Sequence, residues 1–323
     1  MVTRADPTPQ YRPHRPGFPE VRFELTILGT ASQAPTRDRG QGGYLLRWGD
    51  ELVLFDPGEG CQRQILLAGM SAAAVTRVCI THFHGDHCLG LPGFLQSRAL
   101  ITDRRIALHY PTHGQGFVDH LLAGSLIDFD LRVDLEPLDP GDQITAEQFV
   151  LTAAALDHTA PAIGYRFEGP VGWHLVPDRL ERAGMDGEAI GEMRRSGRVL
   201  VGEREVGIRS MSEQRGGPTV AFVMDTRPCV GAAELAAGAD LLICEATYLA
   251  EDAALAEAHG HMTATQAATL AADADVGLMV MSHFSNRYDD LEAFTIEARE
   301  TFPAAIAAED LSCISWTAKT HRV

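Results

Sequence analysis

The stretch Thr81-His82-Phe83-His84-Gly85-Asp86-His87 places four metal-binding side chains within seven residues. It follows Val78-Cys79-Ile80, an apolar run that reads as a buried strand. Residues two apart on an extended chain point to the same side, so His82 and His84 project together from the strand end. Gly85 then lets the backbone turn and brings Asp86 and His87 back toward a second position. Imidazole nitrogen and carboxylate oxygen suit zinc or a similar first-row ion. Two such ions about 3.5–4 Å apart hold a water and a phosphoryl or acyl oxygen between them, so the expected chemistry is hydrolysis. A chance run of surface histidines explains neither the interleaved Asp86 nor the apolar lead-in.

Two zinc ions need about seven protein ligands if a shared water is to remain, and the remaining three must come from elsewhere in the chain. His158 follows the apolar run Leu151–Leu156, Asp225 ends Thr219-Val220-Ala221-Phe222-Val223-Met224, and His283 ends Leu278-Met279-Val280-Met281. Each alone reads as a cap or a polar strand end. Beside the 82–87 cluster they read as a set of strand-end ligands converging on one edge of a sheet.

The surrounding pattern supplies that sheet. Phe23–Leu28, Tyr44–Trp48 and Glu51–Phe55 are short β-type runs, the last two joined by Gly49-Asp50, and they read as an antiparallel meander. Beyond them, strand-like runs at 77–81, 105–110, 219–225, 240–245 and 278–282 alternate with helix-like runs at 92–103, 115–123, 230–238, 263–273 and 290–301. The expectation is an α/β fold, a layered αββα sandwich filling residues 21–323, with metal ligands at strand ends. Residues 1–20 carry prolines at 7, 9, 13, 16 and 19 and no hydrophobic period, and read as a flexible N-terminal arm. Residues 168–217 break the rhythm. This glycine-rich stretch mixes arginines 179, 182, 194, 195, 198, 204, 209 and 215 with nine acids, and has little apolar period beyond an amphipathic piece near 178–195. It reads as an insertion protruding from the core, either a surface loop or a substrate-gripping arm.

Bulk composition narrows the function class. The 323 residues are 45% hydrophobic, enough to bury a full core. No apolar run approaches the ~18 residues a spanning helix needs, so no membrane role is expected. Six scattered cysteines, at 61, 79, 88, 229, 244 and 313, suit a reducing cytoplasmic setting. A net charge of −17 argues against a protein that simply coats nucleic acid, because such binding comes from neutralising phosphates.

Several further blocks carry a resemblance. Phe55-Asp56-Pro57-Gly58-Glu59-Gly60-Cys61-Gln62-Arg63-Gln64 resembles an Asp-x-Gly-Glu-x-x-Gln-x-Gln signature, and Ile80 to Gly93 joins the His-x-His-x-Asp-His motif to a Gly-Leu-Pro-Gly continuation. To these add His158 with Gly164-Tyr165-Arg166, Asp225-Thr226-Arg227, Glu245-Ala246-Thr247, His261-Met262-Thr263 and Ser282-His283-Phe284-Ser285-Asn286-Arg287-Tyr288. Together they resemble the ribonuclease Z family, transfer-RNA 3′-processing endonucleases of the metallo-β-lactamase superfamily, from about Phe23 to Trp316. The metal motif alone marks only the superfamily; the other blocks narrow it.

The resemblance implies a metallo-β-lactamase-type sandwich with an inserted arm and two Zn2+ per subunit, Mn2+ being another divalent ion that would serve. It implies that His82, His84 and His158 bind one ion and Asp86, His87 and His283 the other, with Asp225 bridging. Asp86 then orients the attacking water or takes its proton, and Glu245 with His261 form a relay that protonates the departing 3′-oxygen. His259, two residues away, is the alternative histidine. Arg39, Arg287 and Tyr288 match substrate-phosphate positions. The implied substrate is precursor transfer RNA and the implied assembly a homodimer. In the insertion, Leu180–Gly184 and Gly191–Gly197 resemble the helical part of the family's arm, but Asp186-Gly187-Glu188 stands where a Gly-Pro pair is typical. Two rival readings exist: the same centre acting on a small phosphodiester or sulfate ester, and a non-catalytic RNA-binding scaffold.

Overall fold

The computed structural model of the chain describes residues 22–317, so the proline-rich segment 1–20 lies outside the described residues. These residues divide into two compact units, one formed by 22–170 with 216–317 and the other by 171–215.

The larger unit begins with β1 (Arg22–Gly29), β2 (Gly43–Trp48), β3 (Glu51–Phe55), β4 (Arg77–Cys79), β5 (Ile106–Pro111) and β6 (Val133–Leu138). It continues with β7 (Gln143–Thr145), β8 (Val150–Leu156) and β9 (Ala162–Glu168). The smaller unit contributes β10 (Gly172–Leu175), β11 (Arg198–Val201), β12 (Arg204–Gly207) and β13 (Ser212–Arg215). The chain then returns to the larger unit with β14 (Thr219–Val223), β15 (Leu241–Glu245), β16 (Leu278–Ser282), β17 (Ala305–Ala307) and β18 (Cys313–Thr317).

Two seven-stranded sheets result, in the orders β18-β1-β2-β3-β4-β5-β6 and β17-β16-β15-β14-β9-β8-β7. In the first, β18 through β3 pair antiparallel, the expected meander among them, and β3 through β6 pair parallel. In the second, β14 through β17 run parallel and β7, β8 and β9 add antiparallel partners.

Side-chain alternation sorts the strands into layers. Tyr44, Leu46 and Trp48 of β2 join Leu241 and Ile243 of β15 in a core between the sheets. Their neighbours Leu45, Leu242 and Cys244 face outward, Leu45 against Ile65, Leu91 and Phe94, and Leu242 and Cys244 against Leu235, Ala267 and Phe294. Those partners sit on helices Cys61–Leu67, Leu91–Ala99, Val230–Ala236, Ala264–Asp273 and Glu292–Arg299. Because both faces of each central strand are covered, those strands read as continuous apolar runs. The order of layers is α, β, β, α. At the middle, Phe55 and Phe222 stack across the sheets with centroids 4.3 Å apart.

The smaller unit pairs β10 with β13 and β11 with β12. Between them lie helices Pro177–Arg182 and Gly187–Ser196. The second is capped at its start by Asp186, whose side chain accepts from Ala189 N at 2.9 Å, and ends at Gly197 in the left-handed region (φ 76°). Leu180, Met185, Met193, Val199 and Val206 form a small core. Each short element contributes only one or two of these residues, which is why little period accumulates along the sequence.

Candidate metal centre

Three polar residues end buried strands with positive φ: Asp56 after β3 (43°), Asp225 after β14 (49°) and His283 after β16 (61°). Side chains with a Cβ avoid this region, and holding one there costs on the order of 1–3 kcal/mol. The turns swing all three side chains to one edge of the sandwich. The 82–87 stretch reaches the same edge from β4. It differs in one respect from the expected loop: residues Gly85–Cys88 close a short helical turn after His84, which carries Asp86 and His87. Close backbone packing supports it from behind, since a Cβ on Gly58 would stand 2.4 Å from the Asp86 carbonyl and 2.6 Å from that of Gly42.

The seven candidate ligands meet there in two adjoining groups. His82, His84, His158 and Asp225 offer atoms all within 4.8 Å of one another, as do Asp86, His87 and His283. His82 Nε2 lies 2.9 Å and His158 Nε2 3.2 Å from His84 Nδ1. Both rings stand close to Asp225 Oδ2, at 3.7 and 3.6 Å. On the other side, His87 Nε2 lies 3.2 Å from His283 Nε2, and Asp86 Oδ2 lies 3.5 and 3.3 Å from those two nitrogens. Asp225 Oδ1 faces this second group from 3.4 Å (His87 Nε2) and 3.3 Å (His283 Nδ1).

The rings that face inward with one nitrogen are held by the other, as metal-binding imidazoles require. His87 Nδ1 donates to Asp56 Oδ2 at 2.9 Å, and His158 Nδ1 to the Gly260 carbonyl at 2.8 Å. His82 Nδ1 contacts Thr81 Oγ1 at 3.0 Å and His283 Nδ1 contacts Thr247 Oγ1 at 3.1 Å. Asp86 Oδ2 is anchored by the Gln33 amide at 2.7 Å.

Electrostatics match a cation site. Burial holds the imidazoles of His82 and His158 below their ordinary pKa, with nearby histidine charge adding to it. Burial alone would raise the carboxyls of Asp86 and Asp225, but the charge of His87 and His283 holds both well below the usual range. Burial opposes the charged form of His87, but Asp225, Asp56 and Asp86 surround it and push its pKa up. Asp225 Oδ1 is buried and accepts no hydrogen bond. An unsatisfied carboxylate oxygen is costly in such a place. A divalent cation among these atoms relieves that cost, and five imidazoles with two carboxylates form a donor set suited to zinc.

Beside this group stands Glu245, fully buried at the end of β15. Its Oε1 accepts from His261 Nδ1 at 3.1 Å and from the Thr226 amide; Oε2 accepts from Thr247 Oγ1 at 2.7 Å and the Met262 amide at 3.1 Å. His261 Nδ1 is thereby engaged, leaving Nε2 toward the cavity that the ring lines. Burial opposes its charged form, but Glu245, by charge and hydrogen bond, and Asp225 outweigh that and raise its pKa to about 9. His259 takes a different partner, the Tyr248 hydroxyl at 2.8 Å. A cavity of about 470 Å³ opens here, with His84, Asp86, His158, Asp225, His259 and His261 in its wall.

The three phosphate candidates lie along the loop after His283. Arg39 donates to the carbonyls of Phe284 (3.4 Å), Ser285 (3.3 Å) and Tyr288 (2.9 Å), and so braces that loop. Arg287 pairs with Asp252 at 3.2 Å and lies over the Tyr248 ring; the Tyr288 hydroxyl also donates to Asp252. Cys88, beside His87, is a packed thiol pushed up to about 12 by burial, donating to the His84 carbonyl. Sequence reading overlooked Thr81, Thr247 and Gln33. The available signal was position: both threonines lie one or two residues from a residue already singled out, His82 or Glu245.

Comparison with known proteins places this geometry. The metallo-beta-lactamase superfamily model matches residues 43–156. Ribonuclease Z of Nocardia farcinica is 51% identical over 301 residues, covering 89% of this chain and 96% of its own. The crystal structure of the short form of human tRNase Z superposes with a TM-score of 0.65 at 26% identity, covering 90% of this chain and 98% of that one. YhfI of Bacillus subtilis, a metallo-beta-lactamase fold protein, reaches a TM-score of 0.67 at 16% identity over 92% of this chain and all of its own, a likeness of fold alone. The two-sheet sandwich, the strand-end histidine and aspartate set and this level of identity have one reading: the chain belongs to the ribonuclease Z family of the metallo-β-lactamase superfamily, whose members are metal-dependent hydrolases.

Proposed function

We propose that this chain is a zinc-dependent endoribonuclease that removes the 3′ trailer of precursor transfer RNA. The observation that carries the reading is His261, hydrogen-bonded to the buried Glu245, in the wall of the cavity that His84, Asp86, His158 and Asp225 also line, with His82, His87 and His283 completing the convergent set. In this reading His82, His84 and His158 hold one zinc ion, Asp86, His87 and His283 hold the other, and Asp225 is shared. Mn2+ is the alternative divalent ion. When bound, the two cations would acidify a water and draw charge from a phosphoryl oxygen.

The residues supply the rest. Asp86, with Oδ2 pinned by the Gln33 amide, orients the attacking water or takes its proton. His261, kept protonated at neutral pH by Glu245, gives its proton to the departing 3′-oxygen, leaving a 3′-hydroxyl on the transfer RNA and a 5′-phosphate on the trailer. Arg287 contacts a substrate phosphate by exchanging Asp252 for it, with Tyr288 beside it, and Arg39 supports the contact through the loop it braces.

The smaller unit is the proposed RNA-gripping arm. Residues 171–215 hold eight arginines against eight acids, a net of zero, so the −17 of the whole chain lies outside it. Arg194, Arg195 and Arg198 are exposed on or just after its second helix. The proposed assembly is a homodimer in the cytoplasm, where six free cysteines suit a reducing setting. Among the described residues, no helix is long and apolar enough to cross a membrane.

Incubating the zinc-loaded protein with a precursor transfer RNA and, separately, with a bis-aryl phosphate tests the reading. Endonucleolytic release of the trailer with a 3′-hydroxyl product supports it. Turnover of the small ester alone would instead point to a small-molecule phosphodiesterase, and turnover of neither to a binding scaffold.

A further inference from the structure

We infer that Thr247 is a positioning residue that locks the ring of His283 to the carboxylate serving His261, so that the metal centre and the proton donor form one hydrogen-bonded chain. Thr247 is buried, with its hydroxyl 2.7 Å from Glu245 Oε2 and 3.1 Å from His283 Nδ1. A threonine hydroxyl has one hydrogen to donate, and an ionised carboxylate can only accept. The hydrogen therefore goes to Glu245, and the oxygen must accept from His283. That requires the proton on Nδ1 of His283 and leaves Nε2, the atom facing Asp86 and His87, with its lone pair free.

The same bridge fixes Glu245 from below. Its two oxygens accept from the Thr226 and Met262 amides, the Thr247 hydroxyl and His261 Nδ1. The orientation of His261 thus depends on a carboxylate that Thr247 helps to aim. On the opposite side of the site Thr81 is built alike: its hydroxyl donates to Asp56 Oδ2 at 2.8 Å and lies 3.0 Å from His82 Nδ1, and Asp56 Oδ2 also holds His87. A hydroxyl hinge between a candidate ligand and a carboxylate therefore occurs twice, and only the Thr247 copy connects to the Glu245–His261 pair.

The inference rests on the reading of His283 as a metal ligand, and its test separates the two. Zn2+ affinity of the metal-stripped protein is measured by competition with a chromogenic chelator, alongside kcat and KM for a bis-aryl phosphate, for the wild type, His283→Ala, Thr247→Val and Thr247→Ser. Thr247→Val keeps the shape and removes the hydroxyl. It is expected to weaken one of the two zinc sites by about 10–100-fold and to lower kcat with KM little changed, as loss of a ligand's hydrogen-bond partner does. Thr247→Ser is expected to restore both to within a few-fold. Wild-type affinity and kcat in Thr247→Val, or a Thr247→Ser as impaired as Thr247→Val, would overturn the bridge while leaving the ligand reading intact. Unchanged zinc stoichiometry in His283→Ala would overturn the ligand reading and the bridge with it.

Discussion

His261 and Glu245 share a hydrogen bond of 3.1 Å, and the predictions at the residue scale begin there. His261→Ala and Glu245→Ala are each expected to slow turnover by roughly 10²–10⁴-fold with zinc retained, because in the proposed reading the pair moves a proton and holds no ion. The double variant should lose little more than either single one, since the two act as a unit. The pKa of His261 is raised to about 9, so its proton is present at pH 7 and lost as pH rises through 9. The rate profile should therefore fall on its alkaline limb near that pH, and His261→Ala should remove the limb. The stabilising contribution runs the same way: a folded-state pKa above the unfolded one gives stability that is full below about 6.5 and gone above about 9. The seven candidate ligands were legible because four share one short motif, and the other three, ordinary strand ends when taken singly, follow apolar runs whose ends a sandwich gathers on one edge. Thr81 and Thr247 were not, because threonine is an ordinary strand residue and its role appears only when a ring nitrogen and a carboxylate are found on either side of its hydroxyl.

At the scale of elements, the strands were readable from apolar runs, and the turns that make the site from their polar ends. Left-handed φ at Asp56, Asp225 and His283 was not readable, since local sequence disfavours it and only the packed sheet ends hold it in place. That strain is affordable because the inter-sheet core is large. Phe222→Ala, which removes the ring stacked on Phe55, should cost about 3–5 kcal/mol in chemical unfolding, far above a surface substitution. The smaller unit predicts a different split. No candidate ligand and neither member of the Glu245–His261 pair lies in it. Deleting residues 171–215 should leave bis-aryl phosphate hydrolysis nearly unchanged and raise KM for precursor RNA steeply, because remote contacts contribute binding rather than chemistry. Replacing Arg194, Arg195 and Arg198 by alanine should do the same more mildly and flatten the salt dependence of RNA binding. RNA cleavage indifferent to both changes would show that RNA is gripped elsewhere. The composition of this segment revealed an insertion but not its fold, whose small core is gathered from four short elements and the turn between its helices.

The whole molecule carries a net charge of −17 and offers RNA only local attraction, so its affinity must come from placed contacts and from the metal centre itself. A homodimer would supply a second set of such contacts, and light scattering at micromolar concentration should give a mass near two chains rather than one of 35.0 kDa. The claim on which everything else depends is that seven side chains from four separate segments jointly hold the ions that make trailer cleavage possible. Stripping the protein of metal and adding Zn2+ stepwise, while counting bound ions and following trailer release from precursor transfer RNA, tests it most directly. The account predicts no cleavage without metal, two ions per chain at saturation, cleavage appearing with their binding, and loss of both in Asp225→Ala. Trailer release by the stripped protein in the presence of a chelator, or by Asp225→Ala at the wild-type rate, would contradict it.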